Sequence, residues 1–231
     1  MEVFHGVEAS PGQSMVVYRP RDGLGLPVLL MFGDEATDPL VYEPLAVHLA
    51  ARGMVVILAS YDPLRAPQSS ACALVSTLEL RERFGGDPSR LAMAGVGLGA
   101  ALAIGEAFGG PWTAWSSGGG CGTSNVHRQE PDVLVIIDGA LDAFRSSDPS
   151  QRGLNPLLQV GGGNPYLRIR LLVDRSLVSE ERTAADQFIS ALRRSGYDME
   201  VEAHDWRGPT DLGALEAAAD FIYAAVTPAS R

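Results

Sequence analysis

The sequence predicts a doubly wound α/β domain, a mostly parallel sheet with helices on both faces, spanning residues 1–231. Three observations predict it. Short apolar runs alternate with helical patterns at a spacing of about 30 to 40 residues, which is the grammar of βαβ units. The runs are continuously apolar rather than alternating, as strands covered on both faces require. No repeat, linker or low-complexity tail interrupts them.

The elements follow in order. Residues 28–32 (VLLMF) form the first buried strand, ending at Gly33. Residues 42–51 carry Leu45 and Leu49 at helical spacing, and Gly53 stops that helix. Residues 54–59 (MVVILA) are the next strand, and 69–84 a helix closed by Gly85-Gly86. The turn Asp87-Pro88-Ser89-Arg90 leads into a short strand at 91–95. Residues 99–108 are a helix of small side chains that can approach a sheet closely. Strands at 133–137 (VLVII) and 167–173, an amphipathic helix at 180–195, a last strand at 199–206 and a helix at 212–225 complete the domain. The stretches 109–131, Gly-rich with Trp112 and Trp115, and 138–165 lack such periodicity and are expected to form loop-rich cover over one end of the sheet. Trp112, Trp115 and Trp206 are candidates for an apolar pocket mouth or for loop anchors.

Composition excludes several function classes. Hydrophobic residues make up 46% of the chain and charged residues 20%, enough apolar matter for a core. The formal charge is −10 with no basic run, which excludes a polyanionic nucleic acid and disfavours an anionic membrane surface. All 18 basic residues are Arg, so no Schiff-base, pyridoxal-phosphate or P-loop lysine exists. Lysine absence beside Ala, Gly and Arg richness points to a high-GC bacterial source. The N-terminus shows no signal-peptide pattern, and no apolar run nears the roughly 20 residues of a membrane span. A cytoplasmic protein is therefore expected. Two cysteines, Cys72 and Cys121, are too few for a disulfide framework or metal site and are expected as free packing or surface thiols. The four histidines (His5, His48, His127 and His204) show no metal-ligand spacing, and neither metal nor cofactor is expected. The Gly95-Val96-Gly97-Leu98-Gly99 run is not a dinucleotide fingerprint, because it lacks the G-x-G-x-x-G spacing.

Strand, turn and helix at 91–105 resemble the α/β-hydrolase family, whose nucleophile elbow reads G-x-S-x-G. Residues 27–57 and 172–207 are similar to the branch of chlorophyllases and cutinase-like polyester hydrolases, and the resemblance covers most of 15–225. It implies an α/β-hydrolase fold and assigns the nucleophile, acid and base positions to Gly97, Arg175 and Asp211. None of the three is the family's residue. The oxyanion donors would be the backbone N–H groups of Leu98 and of Asp34 or Glu35, where carboxylates oppose a developing negative charge. Glycine supplies no nucleophile, and Cys121 is the candidate replacement.

The expected function is accordingly non-hydrolytic. The chain would bind a small apolar molecule or a protein partner, homo-oligomer included, in a retained pocket lined by Phe32, Asp34, Glu35, Gly97, Leu98, Asp138, Asp142 and Asp211. The alternative is a repurposed cyclase, lyase or isomerase in specialised metabolism, in which two of these carboxylates do acid–base work. A hydrolase with a non-standard nucleophile is the third reading. The plainer role for each Asp at a strand end is to cap the following helix.

Overall fold

The computed structural model describes the chain except residues 11–12, 35–37, 63–64, 110–120, 122–128, 140, 142–154, 209–210 and 228–231. Its centre is an eight-stranded sheet: β1 (Glu2–Ser10), β2 (Gln13–Arg19), β3 (Leu26–Phe32), β4 (Val55–Ala59), β5 (Gly86–Val96), β6 (Val133–Ile137), β7 (Arg168–Asp174) and β8 (Asp198–His204). The spatial order is β1-β2-β4-β3-β5-β6-β7-β8. From β4 to β8 every pairing is parallel, whereas β1 and β2 pair antiparallel with each other and β2 with β4. The β1–β2 hairpin is absent from the sequence reading for a physical reason. Gly6 has φ +64°, and register shifts fall between Phe4 and Val7 and between Glu8 and Ser10, so the alternation that marks a strand is broken twice.

Among the described residues six helices flank the sheet: α1 (Glu43–Ala51), α2 (Ala66–Leu80), α3 (Leu98–Phe108), α4 (Pro156–Gln159), α5 (Ser179–Arg194) and α6 (Leu212–Val226). Alternate strand residues point to opposite layers. Leu30, Phe32, Ile57, Met93 and Ile136 meet Leu74 and Leu78 of α2, Leu102 and Ile104 of α3, and Phe188 and Leu192 of α5. Leu29, Met31, Leu58, Val135 and Ile137 meet Leu45 and Leu49 of α1 and Leu215 and Ile222 of α6. Helix 69–84 of the sequence reading is in fact α2 plus a separate 3-10 turn at Glu82–Phe84. Among the described residues no helix is long and apolar enough to cross a membrane.

Connectivity decides where a ligand can sit. The α1 crossover carries the chain from β3 to its neighbour β4, and the α2 crossover returns past β3 to β5 on the other side. The chain thus leaves β3 and β5 in opposite directions, opening a crevice at their carboxyl ends.

The expectation of free thiols is corrected here. Cys72 of α2 and Cys121 form a disulfide, with Cα atoms 5.1 Å apart. The pair and Val75 make a small buried cluster of their own, apart from the two sheet-face cores. A separation of 49 residues across β5 and α3 gives no spacing signal in the sequence.

Candidate active site

The crevice is built on the turn after β5. Gly97 is the N-cap of α3 with φ +55° and ψ −124°, a left-handed conformation that glycine adopts without the steric cost of a Cβ. Its N–H donates to the Ile137 carbonyl at 3.2 Å, tying the turn to β6. The outer glycines serve packing. A Cβ on Gly95 would collide with the backbone of Gly99 and Ala100, and one on Gly99 with the carbonyls of Phe32 and Gly33. The helix N-terminus is thereby pressed directly onto β3 and β5.

Asp34 fills the space above this turn. A Cβ placed on Gly97 would lie 2.5 Å from Asp34 Oδ1. The same oxygen accepts from the Leu98 N–H at 3.3 Å, a backbone donor at the positive end of an eleven-residue helix. The Asp34 N–H donates to the Tyr42 hydroxyl at 3.4 Å, and the Tyr61 hydroxyl donates to the Gly33 carbonyl at 3.2 Å. A Cβ on Gly33 would meet the Tyr42 ring at 2.7 Å, so the β3 exit lies flat against that ring. Burial pushes the Tyr42 phenol up to about 12, the Asp34 N–H acts against this, and the charges of Asp34 and Asp138 add to the rise. Tyr42 therefore remains a neutral O–H donor across the physiological range.

Asp138 follows β6 two strands away. It is the one non-glycine residue with positive φ (+45°) among the described residues, held there by its N–H bond to the Leu172 carbonyl at 2.9 Å. Burial, then the charges of Asp174, Glu181 and Asp34, push its carboxyl up to about 6. Asp174 ends β7 and shows the opposite shift. Burial works upward on it, but hydrogen bonds from the Ser176 hydroxyl (2.6 Å), the Ser176 N–H (2.9 Å) and the Trp206 backbone, with His204 nearby, hold it below the usual carboxylate range. Asp138 and Asp174 are the two charged residues lining a cavity of about 10 Å³, room for about one water molecule, above Leu171, Leu172 and Leu177. Two carboxyls whose environments drive them apart are suited to act as acid and base.

His204 ends β8 and pairs in register with Asp174. Its Nε2 lies 3.1 Å from Asp211 Oδ2. Asp211 is the N-cap of α6: its Oδ1 accepts from the N–H groups of Gly213 and Ala214 and its Oδ2 from that of Arg207. Burial raises the Asp211 carboxyl, but these bonds and His204 lower it overall.

The residues singled out in the sequence divide accordingly. Asp34, Gly97 and Leu98 are in direct contact, and Asp138 feels the charge of Asp34. Phe32 is fully buried in the core beneath α2 and α3. Arg175 is exposed, pairs with Asp205 at 3.1 Å and donates its backbone N–H to the His204 carbonyl, so the carboxylate at this strand end is its neighbour Asp174. Asp211 acts as a cap and as partner of His204. Glu35, Asp142, Trp112, Trp115 and His127 lie outside the described residues. Cys121, being disulfide-bonded, supplies no thiolate. Sequence reasoning missed Tyr42, Asp174 and His204. The first two look there like a helix start and a strand's last residue, and the third falls inside a strand drawn two residues too long. Among the described residues no group of three His, Cys, Asp or Glu could hold a metal ion.

No protein-family model and no curated protein matches the chain. Solved structures do. Esterase 2 of Thermogutta terrifontis in its apo form is 17% identical, with a TM-score of 0.70 over 99% of this chain and 96% of that one. The butyrate-bound form of the same esterase gives 17% identity and 0.69 over 94% and 92%. A dienelactone hydrolase from Klebsiella pneumoniae gives 14% and 0.70 over 99% of each chain. The expectation of a non-hydrolytic binding protein, with its cyclase, lyase or isomerase alternative, is corrected by these matches, which are named as esterases and a dienelactone hydrolase. At such identities the likeness is one of architecture, and the chain has the α/β-hydrolase fold.

Proposed function

We propose that the chain is a hydrolase of small carboxylic esters in which the carboxylate of Asp34, in place of an elbow side chain, activates water. One observation carries the reading: Asp34 Oδ1 occupies the space a side chain at position 97 would take, beneath the Leu98 N–H. The neighbouring esterases and the similarity of residues 27–57 and 172–207 to cutinase-like polyester hydrolases support an ester as substrate.

Asp34 takes a proton from water as the water oxygen bonds to the acyl carbon. Once protonated, Asp34 releases the Leu98 N–H, which with the Tyr42 O–H donates to the oxyanion. The tetrahedral species collapses with cleavage of the acyl C–O bond, and the departing alkoxide takes the proton of Asp138. Solvent returns a proton to Asp138 and removes one from Asp34. Asp174 stays ionised and keeps Asp138 protonated to higher pH than an isolated carboxyl.

The test is steady-state hydrolysis of p-nitrophenyl butyrate and ethyl butyrate by the wild type and by Asp34→Asn. Removing the base is expected to lower kcat/KM by about 10²-fold or more. No turnover above buffer with either ester, or equal turnover by Asp34→Asn, overturns the proposal.

We infer further that the chain works in an oxidising compartment. The Cys72–Cys121 disulfide supports this against the cytoplasm expected from the sequence, since cytosolic thiols are kept reduced. Alkylation of unreduced, denatured protein from its native source would label neither cysteine; labelling of both refutes the inference.

A further inference from the structure

A second cleft lies at the other end of the sheet. Met15 of β2 pairs with Ala59 at the carboxyl end of β4, so Arg19, at the far end of β2, marks the end opposite the crevice. There β1, Arg19, the last turn of α2 and the following 3-10 turn border an open cleft of about 770 Å³. Its wall is aromatic: the rings of Phe4 and Phe84 lie 5.1 Å apart at an interplanar angle of 54°. Leu80 and Val7 add aliphatic surface. The Gly6 bulge turns the edge strand at this point, so the opening is part of how β1 is built.

The charges are arranged for an anion. Each ring carries a guanidinium: Arg19 sits 5.6 Å from the Phe4 centroid and Arg83 5.8 Å from that of Phe84. Arg19 is paired with Glu2 at 2.6 Å. Arg83 is exposed and makes no ion pair among the described residues, while Glu8 is the acidic residue of the lining. Arg83 is therefore the guanidinium of the lining that is not already engaged by a carboxylate among the described residues.

We propose that this cleft binds a planar aromatic carboxylate, its ring against the partly exposed Phe4, which the buried Phe84 backs, and its carboxylate forked by Arg83. Arginine suits the task because its planar donors match both carboxylate oxygens and its plane stacks on an aromatic ring. The site is independent of the hydrolytic crevice.

The experiment is calorimetric titration of the full chain with benzoate, and with benzyl alcohol as the uncharged isostere. Saturable benzoate binding is expected, weakened about tenfold or more in Arg83→Gln and in Phe4→Leu, and absent for benzyl alcohol at the same concentration. Asp34→Asn and the remote, exposed Arg194→Gln should bind as the wild type does. Circular dichroism of the Arg83 and Phe4 variants separates lost binding from lost folding. Binding unchanged in Arg83→Gln, binding abolished by Asp34→Asn, equal binding of the alcohol, or a Kd weaker than about 10 mM overturns the proposal.

Discussion

Breaking the disulfide gives the most quantitative prediction. The Cys72–Cys121 link closes a loop of 49 residues in sequence separation, containing β5, the Gly97 turn and α3. Chain-entropy bookkeeping for a loop of that size gives about 4 kcal/mol, lost when the unfolded chain is freed. For 231 residues an unfolding entropy of about 0.5 kcal/mol/K turns this into a Tm lower by roughly 8 °C. Alanine is the replacement of choice, because both cysteines are buried and a serine hydroxyl there would need a new partner. The assay is thermal denaturation followed by circular dichroism, for the wild type and for Cys72→Ala/Cys121→Ala, each with and without reductant. Reductant should bring the wild type down to the variant and leave the variant unmoved. A variant melting within about 2 °C of the oxidised wild type, or reductant lowering both proteins equally, would refute the cross-link as a stabilising element.

Three further outcomes are expected. Gly97→Ala forces a Cβ into φ +55° and against Asp34 Oδ1; urea unfolding should show a loss of about 1–2 kcal/mol, and ester hydrolysis should fall as far as in Asp34→Asn. Asp138 has a raised carboxyl, so the folded state favours its protonated form, and its contribution is full below about pH 4 and lost as pH rises through about 6. Asp138→Asn should therefore be stabilising relative to wild type above pH 6 but not below 4, and kcat/KM, which uses the protonated acid, should lose its decline near pH 6. Asp211→Ala removes the cap of α6 and the partner of His204, at a cost of about 1–2 kcal/mol in chemical denaturation. That loss should shrink as acid protonates Asp211, whose lowered carboxyl contributes in full above the ordinary carboxylate range and loses its contribution as pH falls below it.

The parallel half of the sheet is legible in the sequence because burial on both faces leaves uninterrupted runs such as VLVII, found with the same bounds, and VLLMF, whose strand begins two residues earlier. The edge hairpin is not, since the Gly6 bulge breaks the period that would reveal it. Gly97 is legible as the elbow. What occupies the space above it is not, because Asp34 arrives from β3, 63 positions earlier, and only the sheet order brings the two together. Asp174 and His204 end neighbouring strands in register, a relation that one-dimensional reading has no means to express. The disulfide escapes for the same reason.

The contact between Asp34 and the empty flank of Gly97 makes those two positions interdependent. Any side chain at 97 evicts the carboxylate, and a smaller residue at 34 vacates room for one. Substitutions there should be strongly non-additive, with a double change such as Gly97→Ser with Asp34→Ala tolerated better than Gly97→Ser alone. A lineage passing from the carboxylate to a hydroxyl at this turn would have to alter position 34 first, and one passing the other way position 97 first, so the order of steps is set by where one oxygen sits.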